Sequence, residues 1–563
     1  MAVARTRCVA IVGVTGHLVE VEADLADGLP GLTMVGLPDT ALAESRDRVR
    51  AAIVNSDEKW PQRRMTIGLF PASLPKSGSS FDLACAAALL EASGVTPANG
   101  LAETVLLGEL ALDGKVRGVR GVLPAVLAAA RAGVPRILVP TANLAEATLI
   151  NGGDIGGVSS LRHLISVLRG DAPPDYVPLR PPREVPPADT ALDFADVLGQ
   201  SDARRALEIS AAGGHHVFMV GPPGAGKTML AQRLPTILPD LAGDEALQTT
   251  AVHSVAGTLP DGCPLVVRPP LRDPHHSASV PALVGGGSGI TRPGEISLAH
   301  NGVLFLDEAP EFARGVLDSL RQPLETGSIT IARASGSVVF PASFTLVLAA
   351  NPCPCGGAKE CVCPSPAMRR YLTRISGPLL DRIDLQLRID PPAKSAMLDD
   401  EAFSESSAVV RERVAAARDR ARERLAPYGF SRNGQLPGAL LRRDLAPSAD
   451  GRRFVREMFG TGVLTARGVD RVLRTSWSIA DLADVERPTI VEVAEALALR
   501  VGPTSLSLAK ARTKRKHPPA ETVVSAHVPA GDVPAGDVPA GDPVAASRVA
   551  DGPPESASAV GSS

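Results

Sequence analysis

The sequence holds no charge-free apolar run long enough to span a bilayer, which excludes a helical membrane protein. Nor does a long apolar stretch follow the opening Met1-Ala2-Val3-Ala4-Arg5. That segment leads into an alternating strand pattern, so no secretory leader is expected and the predicted compartment is the cytoplasm. An excess of charge of one sign is missing as well. With 58 Lys and Arg against 61 Asp and Glu, a formal net charge of −3, no global field advertises nucleic acid, and any basic binding surface must be local. The chain also lacks an extracellular disulfide framework, because seven cysteines are an odd number and four of them crowd between Cys353 and Cys363.

What is present is chain enough, at 563 residues, for about three or four separate cores. Residues 1–170 mix strand signals (Val19-Glu20-Val21-Glu22, Met65 to Leu69) with an Ala-rich helix from Leu83 to Leu90, and predict a compact α/β domain. Residues 171–192 carry Pro173, Pro174, Pro178, Pro181, Pro182, Pro186 and Pro187, which forbid helix or central strand and predict a semi-rigid linker. A nucleotide-binding α/β core is expected over 193–392, opening with a helix from Ser201 to Ile209. Residues 393–509 read as helical. Val410, Val414, Ala417, Ala421 and Leu425 form one apolar stripe, and Arg411, Arg413, Arg418, Arg420, Arg422 and Arg424 read as a solvated face in preference to a DNA contact. Further helices are expected over Gly451 to Met458, Ala466 to Trp477 and Thr489 to Leu499. Residues 510–563, with Lys514-Arg515-Lys516-His517 and Val-Pro-Ala-Gly-Asp repeated three times, have too little to bury and are expected to be disordered.

The chemistry concentrates where three apolar strands end. Val217 to Val220 runs into Gly221-Pro222-Pro223-Gly224-Ala225-Gly226-Lys227-Thr228, a P-loop followed by a helix-forming run. Its glycines let backbone NH groups curl around phosphates at a helix N-terminus, Lys227 reaches the β and γ oxygens, and the Thr228 hydroxyl suits magnesium. Val303 to Leu306 delivers Asp307, a candidate magnesium holder, and Glu308, which can polarise the water attacking the γ-phosphate. Phe344 to Ala350 ends at Asn351, an amide able to sense the γ-phosphate. In the segment Arg374 to Asp384, Arg382 is either paired with Asp381 or Asp384 or offered to a neighbour's triphosphate. Ser328 to Phe340 reads as a hairpin with Arg333 near its tip, a candidate phosphate contact on DNA. A Gly-rich stretch, Val284 to Gly289, is a second segment that could touch a threaded substrate. His275 and His276 read as structural. Cys353, Cys355, Cys361 and Cys363 leave two readings open, a tetrahedral zinc site with unusually short gaps within each pair, or uncoordinated thiols in a loop.

Together the P-loop, Pro293 to Gly302 leading into Leu-Phe-Leu-Asp-Glu, Ala349-Ala350-Asn351-Pro352-Cys353-Pro354-Cys355-Gly356, and Ser376 to Asp384 resemble the YifB/ComM family of AAA+ ATPases, over nearly everything from Ala4 to Val501. The resemblance extends to the magnesium-chelatase ATPase subunit and, more distantly, to the MCM helicases. It implies ATP and Mg²⁺ as cofactors, Asn351 as sensor 1, Arg382 as an arginine finger acting in trans, Arg467 as the sensor 2 arginine of a helical lid, and a homo-oligomeric ring, a hexamer. The function it implies is movement on DNA, as helicase or in branch migration; the alternative is a chelatase-type ATPase acting on a protein or tetrapyrrole-metallation complex. Leu74 to Asp82 and Gly114 to Leu123 resemble segments of the Lon peptidase domain, with Ser80 in the nucleophile's place. Leu123 stands where a general-base lysine belongs, so a Lon-like fold without proteolysis is expected. The fold class is thus α/β throughout its first two parts, a Lon-protease-like domain and an AAA+ core, followed by a helical lid.

Overall fold

The computed structural model describes residues 2–36, 44–76, 78–98, 100–171, 192–260, 264–287, 291–333, 336–356, 361, 363–391 and 404–501. All of these fall within one compact unit of the chain, Met1–Thr513. The expectations for the proline-rich linker, for the tail and for Ser288 and Gly289 fall outside the described residues.

Two sheets organise the described chain. The first joins seven strands: β1 (Ala2–Val12), β2 (Thr15–Ala26), β3 (Gly31–Val35), β4 (Arg64–Phe70), β5 (Thr104–Leu106), β6 (Arg136–Pro140) and β7 (Asp154–Val158), in the spatial order β3-β4-β2-β1-β5-β6-β7. β1 and β2 form one hairpin in register from Ala2↔Leu25 to Val12↔Thr15, turned at Gly13, whose φ of +66° suits glycine. The period-two pattern is realised here: Val19, Val21, Ala23 and Leu25 are buried, while Glu20 and Glu22 face away from the core. The Ala-rich segment is helix α1 (Asp82–Ala92). Every residue of it is buried, which is why its sequence is apolar on all sides.

The second sheet contains β8 (Val217–Val220), β9 (Leu271–Arg272), β10 (Val303–Leu306), β11 (Thr345–Ala350) and β12 (Leu385–Arg388) in the order β9-β10-β11-β8-β12, all parallel. Strands covered on both faces must be apolar throughout, and β10 and β11 are buried at every position. Because the strands run one way, the loops after β8, β10 and β11 open on a single edge, where α/β sheets bind ligands. Ser328–Arg333 and Gly336–Pro341 pair antiparallel as a separate hairpin, with Arg333 opposite Gly336 at the last rung.

Helix α2 (Ser407–Leu425) buries the expected stripe, Val410, Val414, Ala417, Ala421 and Leu425, packed against the helices Ser201–Gly213 and Ala466–Leu482. The arginines around it correct the solvated-face reading. Arg418 is buried and donates to the Ala211 carbonyl at 2.9 Å. Arg413 holds Glu208 and Glu405, and Arg424 holds Asp481 while lying 4.1 Å over the Trp477 ring. Acids contributed by other parts of the chain, invisible to a helical wheel, claim these cations. Helices over Ala449–Gly460, Ala466–Leu482 and 490–501 complete the helical part.

Candidate nucleotide-hydrolysis site

The P-loop turns on Gly224 (φ +74°) and Gly226 (φ +89°), conformations costly for any residue with a Cβ. At Gly221 the constraint is space, since a Cβ there would stand 2.1 Å from the Ile389 carbonyl oxygen. Among the described residues, the amides of Gly224 and Gly226 have no hydrogen-bond acceptor, so the loop presents donors towards its open side. Helix α3 (Lys227–Arg233) begins at the lysine. Lys227 is largely buried, and its Nζ donates to Gly221 O (2.7 Å), Pro222 O (2.9 Å) and Asn351 Oδ1 (3.0 Å). Burial lowers its pKa from the ordinary lysine value, against the pull of Asp307 and Glu308. The cation thus stands preorganised among neutral acceptors, ready for an anion.

Thr228 Oγ1 donates to Asp307 Oδ2 at 2.6 Å. A hydroxyl and a carboxylate with only oxygen donors make a set that fits a hard divalent cation such as Mg²⁺. Glu308 follows with φ +50°, a left-handed conformation that a glutamate adopts at a cost and that aims it apart from Asp307. Of two neighbours at the site, the sequence reading took His276 as structural and passed over Asp273. His276 Nδ1 lies 3.5 Å from Glu308 Oε2, so this histidine faces the candidate base, while His275 bonds Ser277 Oγ at 2.8 Å. Asp273 has its pKa raised by burial and then by the charge of Asp307. No motif marks either residue; strand β9, parallel to β10, carries the segment after it to the same edge.

The structure places Arg382 and Arg467 together and away from the loop. Both line a cavity of about 600 Å³ with Arg432, Arg471 and Arg474, and no P-loop residue lines it. Arg382 donates to Pro378 O at 2.6 Å and pairs with Glu325, so neither Asp381 nor Asp384 is its partner. Asp381 instead takes Arg467 (3.1 Å), and Asp384 takes Arg471 (3.0 Å). Burial alone would raise the Asp384 pKa, but Arg471, His215 and His216 hold it well below the usual carboxylate range.

The four clustered cysteines converge. Their sulfurs all lie within 4.8 Å of one another, with Cys353 to Cys355 at 3.2 Å, Cys353 to Cys361 at 3.4 Å and Cys355 to Cys361 at 3.5 Å. Beside the first sheet, Leu123, in a helix over Val122–Arg131, is buried and its amide donates to Glu146 Oε1 at 2.8 Å, while Ser80, in the turn before α1, offers its carbonyl to Gly108 N at 3.0 Å. A buried leucine supplies no base to a serine.

Three family models match in succession: "Subunit ChlI of Mg-chelatase" over residues 21–143, "Magnesium chelatase, subunit ChlI" over 193–397, and "Magnesium chelatase, subunit ChlI C-terminal" over 404–500. YifB of Escherichia coli is 42% identical over 504 residues, covering 89% of this chain and 97% of YifB. Competence protein ComM of Haemophilus influenzae is 41% identical over 499 residues, 87% of this chain and 96% of ComM. The chain belongs to the YifB/ComM family. An uncharacterized Mycobacterium tuberculosis protein is similar to it at 52% identity over 506 residues, 89% of this chain and 99% of that one. The YifB/ComM chain is therefore an AAA+ protein of the ATPase type, a family that takes ATP with Mg²⁺ and typically forms oligomers. Its first sheet is Lon-like, with 29% identity over 140 residues to Lon protease of Mycolicibacterium smegmatis, 24% of this chain and 18% of Lon. Among the described residues no helix is long and apolar enough to cross a membrane.

Proposed function

We propose that this protein is a ring-forming motor that couples ATP hydrolysis to movement on DNA, as a helicase or in branch migration of recombination intermediates. The observation that carries the reading is the separation of two half-sites: Lys227, Thr228, Asp307 and Asn351 meet at the P-loop, whereas Arg382 and Arg467 open on a cavity without any P-loop residue. In this reading those two arginines serve the triphosphate of an adjacent copy, which makes each active site a shared one and favours a closed ring, a hexamer. The P-loop amides and Lys227 bind the phosphates, Thr228 and Asp307 hold Mg²⁺, Asn351 senses the γ-phosphate, and Glu308 orients and deprotonates the attacking water. Mg²⁺, when bound, neutralises charge on the β and γ oxygens.

The DNA half rests on the hairpin carrying Arg333 at its turn and on the similarity to a protein named for competence. A second reading, a chelatase-type ATPase acting on a tetrapyrrole-metallation complex, is favoured by the descriptions of the three family models. The test is unwinding of forks and four-way junctions by purified protein beside Lys227→Ala and Glu308→Gln. Both variants are expected to lose unwinding, with Glu308→Gln still retaining ATP. Hydrolysis stimulated by DNA, more steeply at low salt, supports the motor; stimulation by a porphyrin with partner subunits and none by DNA overturns it.

A further inference from the structure

We propose that Cys353, Cys355, Cys361 and Cys363 bind one zinc ion as a closed four-thiolate site, and that this site ties the chain following Asn351 to the P-loop. The second half rests on the nucleotide-site reading above. The first stands on the sulfurs alone.

Three states are open to four neighbouring cysteines. A disulfide needs an S–S separation of about 2.05 Å, and the three resolved sulfur pairs stand at 3.2, 3.4 and 3.5 Å, with none of the four in a disulfide. A mononuclear tetrahedral site with metal–sulfur bonds of about 2.3 Å has an S–S edge of about 3.8 Å. The three separations lie somewhat inside that edge and all four sulfurs fall within 4.8 Å of one another, close enough for one ion to reach every sulfur. The third state, four uncoordinated thiols, leaves sulfurs in mutual contact with Cys355 and Cys361 exposed, an arrangement open to oxidation and giving no reason for their convergence. Four thiolates and no oxygen donor select a soft or borderline ion, and with every coordination position filled the site is structural. Binding displaces the thiol protons to solvent.

The one-residue gap that departs from ordinary zinc spacing has a local explanation. Cys353 and Cys355 sit in a turn closed by Gly356 N donating to Cys353 O at 3.0 Å, which brings the two sulfurs to 3.2 Å, whereas side chains two apart on one face of an extended strand are spaced by roughly 6–7 Å. Gly356 has φ +93°, and a Cβ there would stand 2.8 Å from Pro223 Cγ, so the turn's backbone rests directly on the P-loop. Two residues before Cys353, Asn351 holds Lys227. Beyond Cys363, a helix (Ser365–Leu372) carries the buried Tyr371, whose hydroxyl meets the Asn351 backbone, and Arg374 then donates to Glu311 at 2.8 Å and Pro310 O at 3.1 Å, just past Glu308. An ion at the sulfurs therefore closes a loop whose two ends touch the γ-phosphate amide and the segment after the candidate base.

The full-length protein, purified without chelator, is expected to carry zinc at one per chain by elemental analysis. Cys355→Ser/Cys361→Ser is expected to lose it, and Cys85→Ala, in the first sheet's helix, to keep it. After metal exchange, cobalt(II) should give the thiolate charge-transfer band and the d–d bands of a tetrahedral four-sulfur site in the wild type only, a readout independent of turnover. With circular dichroism unchanged, the double serine variant should hydrolyse ATP about 10-fold more slowly. Zinc-free or iron-bearing wild type, or zinc retained by the serine variant, overturns the site. Zinc lost with turnover unchanged overturns its link to the P-loop. A zinc-loaded wild type that hydrolyses no ATP overturns the nucleotide reading and leaves the metal site standing.

Discussion

Among the described residues two lysines, one in each sheet region, are buried, and their surroundings differ. Lys227 and Lys76 both have pKa values lowered by burial. Lys227 lies at the edge of a parallel sheet among three neutral acceptors, with Thr228, Asp307 and Asn351 converging from three strands. Lys76 is sealed in the Lon-like region with the Pro71 carbonyl, and the position that would complete a peptidase dyad is the buried Leu123. A pKa lowered by burial thus marks a candidate site only where partners converge, and a motif's neighbours decide its meaning.

The largest expected effects break this comparison outright. Lys227→Ala should lower ATP turnover by at least ~10³-fold, because the cation for the phosphates is gone. Lys76→Met should leave turnover within about twofold, since in low dielectric an apolar side chain of similar length replaces a poorly solvated cation at little cost. Steady-state ATPase assays check both, and a strong loss from Lys76→Met would give the first sheet a part in hydrolysis. Arg382→Ala in the assembled state should lose ~10³-fold in turnover with nucleotide binding retained. Ser80→Ala should change nothing, and neither it nor the wild type should cleave casein.

Next in size are two buried carboxylates with opposite pH signs. Asp384 has a folded-state pKa well below its unfolded value, so its contribution to stability is present above about pH 4 and is lost as pH falls through the folded pKa. Asp384→Asn should cost about 3–5 kcal/mol at neutral pH, as Arg471 is left without its buried partner. Asp82, held by Arg48 at 2.7 and 3.1 Å, is pushed by burial up to about 6 in spite of that arginine. Its folded state binds the extra proton, so its own contribution to stability is fully present below about pH 4 and is lost, by about 3 kcal/mol, as pH rises through 6. Asp82→Asn should flatten that slope. The two tryptophans separate the readouts: in a Trp477→Phe background, Trp60 fluorescence reports the first sheet during denaturant unfolding at each pH. The smallest contrast concerns glycine. Gly221→Ala meets the Ile389 carbonyl and should cost more than 2 kcal/mol, whereas Gly94→Ala, at φ +76° in open space, should cost about 1 kcal/mol by thermal melting.

Much of this was legible in the chain. The strand ending in Lys227, the strand ending in Asp307 and the hairpin turning near Arg333 stand where local pattern puts them, because period-two and all-apolar runs bounded by glycine or proline depend on near neighbours. The helical stripe of Val410 to Leu425 is equally local. The arginines around it were misread because Glu208, Asp481 and the Ala211 carbonyl come from elsewhere in the chain. His276, read as structural, faces Glu308, and Asp273 beside Asp307 had no signature at all; both gain their place from strand order.

By itself, then, the sequence determined which strands end in the candidate phosphate- and metal-binding residues, and, through Leu123, that the Lon-like region has no lysine at that position. Only the tertiary structure decided that Asn351 meets Lys227, that four cysteine sulfurs converge beside Pro223, and that Arg382 and Arg467 share a cavity the P-loop does not reach. The physical reason is range. Periodicity and turn chemistry are set by residues a few positions apart, whereas these meetings join groups up to more than a hundred residues apart, and the parallel order of the strands and the packing of the helices against them fix where such groups end up.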